Sequence, residues 1–100
     1  MAYHIFVSGR VQGVGYRRFA QKQAQSLEIK GWTRNIADGR VEIFASGLEA
    51  RLDQFCDILR QGPQFSLVQD VLVKIVEEGS FKDFKIISDG FEIHPDAEWK

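Results

Sequence analysis

At 100 residues the chain has room for one domain with one hydrophobic core, and 44% hydrophobic with 27% charged residues is a globular composition that excludes a disordered chain. The lone cysteine, Cys56, excludes an internal disulfide and a cysteine-paired metal site. No charged segment precedes an apolar run at the start, and no stretch of about 18 apolar residues occurs, so a cytoplasmic setting without membrane contact is expected. A net charge of −1 argues against a nucleic-acid-binding domain. The charge is uneven, however: residues 1–40 carry seven Lys or Arg against Glu28 and Asp38, whereas residues 41–100 carry six against twelve acidic side chains. The basic half suits a small anionic ligand.

In chain order, Tyr3, Ile5 and Val7 alternate with His4, Phe6 and Ser8, which predicts a strand over 2–8. Tyr16, Phe19, Ala20, Ala24 and Leu27 follow helical spacing and predict a helix over 16–28. The segment "IKGWTRNIADGRVEIFASG" reads as strands 30–36 and 40–46 joined at Asp38-Gly39, a dipeptide suited to the positive φ of a tight hairpin. Leu48, Leu52, Phe55, Cys56 and Leu59 form a second helical stripe over 49–61, stopped by Gly62-Pro63. Val71, Val73 and Ile75 mark a strand within "SLVQDVLVKIVEEG", and "FKIIS" supplies another over 84–88. The order β-α-β-β-α-β predicts an α+β, ferredoxin-like sandwich, with two helices packed on one face of a four-stranded antiparallel sheet.

The segment "VSGRVQGVGYRR" joins the first strand to the first helix. Gly9, Gly13 and Gly15 permit a backbone turned inward, with N–H groups available to an anion. The following helix adds its own unbonded N–H groups. Arg17 and Arg18 stand in its first turn, where the helix dipole disfavours cations. An anion bound there removes that conflict. The planar guanidinium of Arg17 is suited to phosphate or carboxylate oxygens. Arg18, about 100° further round the helix, is expected to be peripheral. The bland alternative is a flexible connection with two solvated arginines.

"GRVQGVGYR" at 9–17, "KGWTRN" at 30–35 and "GRVEIFASG" at 39–47 closely resemble the acylphosphatase family, with Arg17 and Asn35 separated by the family's 18 positions. The likeness runs over residues 1–88. It implies the same ferredoxin-like fold and hydrolysis of carboxyl–phosphate anhydrides to a carboxylate and inorganic phosphate, without a metal or other cofactor. It also implies that the loop of Arg10, Val11, Gln12, Gly13, Val14, Gly15 and Tyr16 binds the phosphoryl group through its backbone. Arg17 would grip the phosphoryl oxygens, and Asn35 would orient the attacking water. The partners implied are a small acyl phosphate and inorganic phosphate as product and competitor, with a monomer as the default assembly. The alternative is a catalytically weak, anion-binding module of the same family.

Other residues carry simpler expectations. Without the resemblance, Asn35 reads as a local turn residue. Cys56 falls on an apolar helical stripe and is expected to be a buried small hydrophobe. His4 and His94 are expected to lack a placed carboxylate partner. Trp32 fits sheet packing better than one wall of the site. Gly15 stands where some members of the family carry a bulky aromatic residue. Residues 89–100 form a C-terminal extension that is disordered, extends the sheet through Phe91 and Ile93, or lies near the basic loop.

Overall fold

The computed structural model describes residues 1–90. Its elements, in order, are β1 (Ala2–Arg10), α1 (Tyr16–Ser26), β2 (Lys30–Asn35), β3 (Val41–Ser46), α2 (Glu49–Gln61), β4 (Leu67–Val76) and β5 (Phe84–Ile86). The two-residue period of β1 sends Ile5 and Val7 to one face, where Val41, Ile43 and Ala45 of β3 join them. Tyr16, Ala20 and Ala24 of α1 and Leu52, Phe55 and Leu59 of α2 complete this core. Each fully buried Ile, Leu or Phe contributes about 1.5–3 kcal/mol.

The sheet order is β4-β1-β3-β2-β5, which adds a fifth strand to the four expected. β4, β1, β3 and β2 are antiparallel neighbours, whereas β5 adds to β2 in parallel through Gly31–Phe84 and Thr33–Ile86. The "FKIIS" strand therefore extends the edge of the sandwich. Its path continues through Ile87 N–H to the Thr33 carbonyl (2.9 Å) and Gly90 N–H to the Asn35 carbonyl (2.8 Å). The expectation that Phe91 and Ile93 extend the sheet lies outside the described residues.

α1 is shorter than its apolar stripe predicts, ending at Ser26 rather than 28. Glu28 adopts φ 56°, while Ile29 N–H reaches the Ala24 carbonyl at 2.8 Å and Glu28 N–H the Gln25 carbonyl at 3.1 Å. These are the two hydrogen bonds of a Schellman ending. Glu28 occupies the left-handed position usually given to glycine, so the sequence carries no stop signal there.

The face away from the helices holds a smaller cluster of Phe6, Ile36 and Leu72. Glu42 is buried there, with its carboxylate 2.6 Å from His4 Nε2 and accepting from Arg34 Nε at 2.7 Å. This corrects the expectation that His4 lacks a carboxylate partner. The β1–β3 register sets Phe6 opposite Glu42 and His4 opposite Phe44, so the contact is diagonal and cannot be read from spacing along one strand. Trp32 stacks on Phe44 on that same face, with centroids 6.1 Å apart. Alternation puts Trp32 and Asn35 on opposite sides of β2, so Trp32 belongs to sheet packing.

Candidate active site

At one end of the sheet, Val7, Val41 and Asn35 form a single rung across β1, β3 and β2. Residues 11–15 lead from the end of β1 into α1. The loop is anchored at both ends, because Val11 and Tyr16 are each 1% exposed and Val14 packs against the main core. The Tyr16 hydroxyl donates to the Leu59 carbonyl at 2.7 Å, tying the start of α1 to the end of α2. Gln12 Nε2 donates to the carbonyls of Ile36 and Arg40, both at 2.9 Å, and clamps the loop to the β2–β3 turn. That turn is braced in its own right. Arg40 bonds the Asp38 carboxylate and holds its pKa below the usual carboxylate value.

Between these anchors the loop backbone is left-handed at Gly13 (φ 74°) and Gly15 (φ 78°). A side chain at Gly15 would meet no neighbour within 4 Å, so the conformation, not crowding, calls for glycine there. Gly15 is also the N-cap of α1, with no capping side chain, and the first turn contains no acidic residue. The first N–H groups of the helix therefore lack a side-chain cap and are available to an anion.

A cleft of about 450 Å³ opens at this point, lined by Val11, Gly13, Gly15, Tyr16, Arg17, Arg18 and Ile86. This volume lies within the range of small-molecule sites. Of the expected loop residues, Arg10, Gln12 and Val14 are not among its walls. Gln12 and Val14 serve the frame through the clamp and core contact just described. Arg10 is exposed at the end of β1, opposite Leu67. Arg17 and Arg18 both reach the cleft, so Arg18 is less remote than its helical angle suggests.

Arg17 Nη1 lies 3.0 Å from Asp89 Oδ1. The sequence offered the extension beside the basic loop as one of three alternatives but did not pair these two groups. Gly90, the next residue, bonds the backbone of Asn35. A single short segment after β5 thus touches the neighbourhoods of both expected site residues.

Asn35 is 9% exposed, on the helix-facing side of β2. Its Oδ1 is buried and has no hydrogen-bond partner among the described residues. Such atoms are rare in folded proteins and mark functional or strained positions. Asn35 is not itself a wall of the cleft; its link to the cleft is the segment after β5, where Gly90 bonds its carbonyl and Asp89 pairs with Arg17. Cys56, by contrast, is 4% exposed on α2, and burial is the main cause that pushes its thiol up to about 11. A thiol held neutral in this way is a poor nucleophile. Among the described residues, no three His, Cys, Asp or Glu side chains are grouped to hold a metal ion, and no helix is long and apolar enough to cross a membrane.

Comparison with known proteins gives one family. The acylphosphatase family model matches residues 3–86. An acylphosphatase of Archaeoglobus fulgidus is 43% identical over 86 residues, covering 86% of this chain and 97% of the relative. The crystal structure of acylphosphatase from Bacillus subtilis superposes with a TM-score of 0.83 at 41% identity, covering 86% of this chain and 97% of that one. Full-length HypF in its phosphate- and nucleotide-bound form also superposes at 0.83, with 33% identity over 89% of this chain but 12% of its own. The chain belongs to the acylphosphatase family and is a hydrolase of the anhydride bond in acyl phosphates.

Proposed function

We propose that the backbone of residues 10–16 and the guanidinium of Arg17 hold the phosphoryl group of the acyl phosphate, while Asn35 orients the water that attacks it. The buried Oδ1 of Asn35, which has no hydrogen-bond partner among the described residues, carries this assignment. It is an acceptor for a water O–H at the same end of the sheet as the uncapped helix start. The water oxygen bonds to phosphorus as the phosphorus–oxygen bond to the acyl group breaks. The bonding pair leaves on the carboxylate, and both water hydrogens leave with the phosphate, one later exchanging with solvent.

A carboxylate leaving group has a conjugate-acid pKa near ~4, so no general acid is required. The remaining demand is positioning and neutralisation of charge on the phosphoryl oxygens. Backbone N–H groups and one arginine supply both. Simple phosphate monoesters, whose alkoxide leaving groups are far more basic, are poor substrates for such a site.

The same reading makes inorganic phosphate a competitive ligand and the enzyme a cytoplasmic monomer without nucleic-acid partners, in keeping with one buried, unpaired cysteine and a net charge of −1. Residues 1–88 form the hydrolase domain, and the extension from residue 89 contributes Asp89 to its edge. The test is turnover of benzoyl phosphate in the presence of a chelator, with inorganic phosphate titrated as inhibitor. Hydrolysis with competitive inhibition is expected. Folded protein that binds phosphate without turnover would identify the anion-binding module instead.

A further inference from the structure

We infer that Arg18 is a specificity residue: it favours acyl phosphates whose acyl group carries a second negative charge at the end remote from the anhydride. This assignment rests on the phosphoryl site proposed above. With the phosphoryl group seated on the loop backbone and Arg17, the acyl group must occupy the remainder of the cleft, which is larger than a five-heavy-atom anion requires. The side chains left to meet it are Ile86 and Arg18.

These two walls differ in chemistry. Ile86, on β5, is 38% exposed although it lines the cleft, and offers an aliphatic surface to the body of an acyl group. Arg18 is exposed at the same opening. The two adjacent arginines also differ in pairing. Arg17 has Asp89 at 3.0 Å, whereas Arg18 makes no hydrogen bond or ion pair among the described residues. Its place in the first turn of α1, which contains no acidic residue, is electrostatically unfavourable in the free protein. A carboxylate on the ligand supplies a counter-charge that the described residues do not, and matches the planar, two-pronged guanidinium. An apolar stem against Ile86 with an anion on Arg18 defines the class: acyl phosphates derived from dicarboxylic acids.

The experiment compares 4-carboxybenzoyl phosphate with 4-methylbenzoyl phosphate, which are similar in size and differ in the remote charge. The ratio of their kcat/KM values is measured for wild type, R18Q and R18E. Taking ratios across variants cancels the intrinsic reactivity difference between the two substrates. The ratio is expected to fall about fivefold in R18Q, the upper range for an exposed charge pair, and further in R18E, with the change carried by KM. The wild-type preference should also shrink as salt is raised. R18E places an acid at a helix N-terminus, a favourable substitution for folding, so loss of structure does not obscure the result. An unchanged ratio in variants that hydrolyse both substrates overturns the role of Arg18 and leaves the phosphoryl site standing. Absence of turnover of either substrate by folded wild-type protein overturns the proposed catalytic reading and this assignment with it, whether or not the protein still binds phosphate.

Discussion

Asn35→Ala separates a catalytic asparagine from a structural one, because the two roles predict opposite effects on stability. A buried asparagine with its hydrogen bonds made loses about 1–3 kcal/mol on truncation. Here Oδ1 is buried without a partner among the described residues, so its desolvation cost of about 1–3 kcal/mol is already borne by the wild type. Alanine removes that cost and leaves a small void worth about 1 kcal/mol. The unfolding free energy should therefore stay within about 1 kcal/mol of wild type or rise. Turnover should fall at least ~10²- to 10³-fold, the usual consequence of losing one preorganised polar group. Urea titration followed by tryptophan fluorescence measures the first quantity, and initial rates with benzoyl phosphate the second. A loss of more than about 2 kcal/mol at unchanged urea dependence would show that Oδ1 has a native partner and a structural role. Near-normal hydrolysis by the folded variant would refute the catalytic assignment outright.

Arg17→Gln should lower kcat/KM ~10²- to 10³-fold and weaken competitive inhibition by phosphate; unchanged inhibition constants would remove Arg17 from the phosphoryl site. Asp89→Asn releases Arg17 from its carboxylate neighbour, and phosphate inhibition should strengthen about twofold to fivefold, as expected for an exposed ion pair; weaker inhibition would instead make Asp89 a positioning group for the guanidinium. Tyr16→Phe leaves the Leu59 carbonyl without its 2.7 Å donor, so unfolding free energy should drop by about 1–2 kcal/mol in a urea titration; no change would mean that this carbonyl finds another donor. Burial raises the Cys56 thiol to about 11, above the value of about 8.5 in an unfolded chain. The unfolded state therefore releases its proton first, and stability should decline from about pH 8.5 towards pH 11. Cys56→Ala should flatten that decline, and an equally steep curve in the variant would assign it to other groups.

Element identity in this protein was set by local pattern: β1, α1 and α2 follow the two-residue and 3.6-residue spacing of Ile5, Val7, Ala20, Ala24, Leu52 and Phe55. The likeness of "GRVQGVGYR", "KGWTRN" and "GRVEIFASG" to the acylphosphatase family pointed to the family that the family model then matched over residues 3–86. Boundaries were less legible where an unusual residue took a special conformation, as Glu28 did at the end of α1. Individual contacts between distant segments were not legible, although the sequence offered the extension near the basic loop as one of three alternatives. Asp89 beside Arg17, Gln12 clamped across the β2–β3 turn and His4 on Glu42 each depend on strand register or on the path taken after β5. Periodicity records which face a residue presents, because that is a property of the local backbone. Which partner meets that face is decided by packing between segments far apart in the chain, and only the tertiary structure contains it.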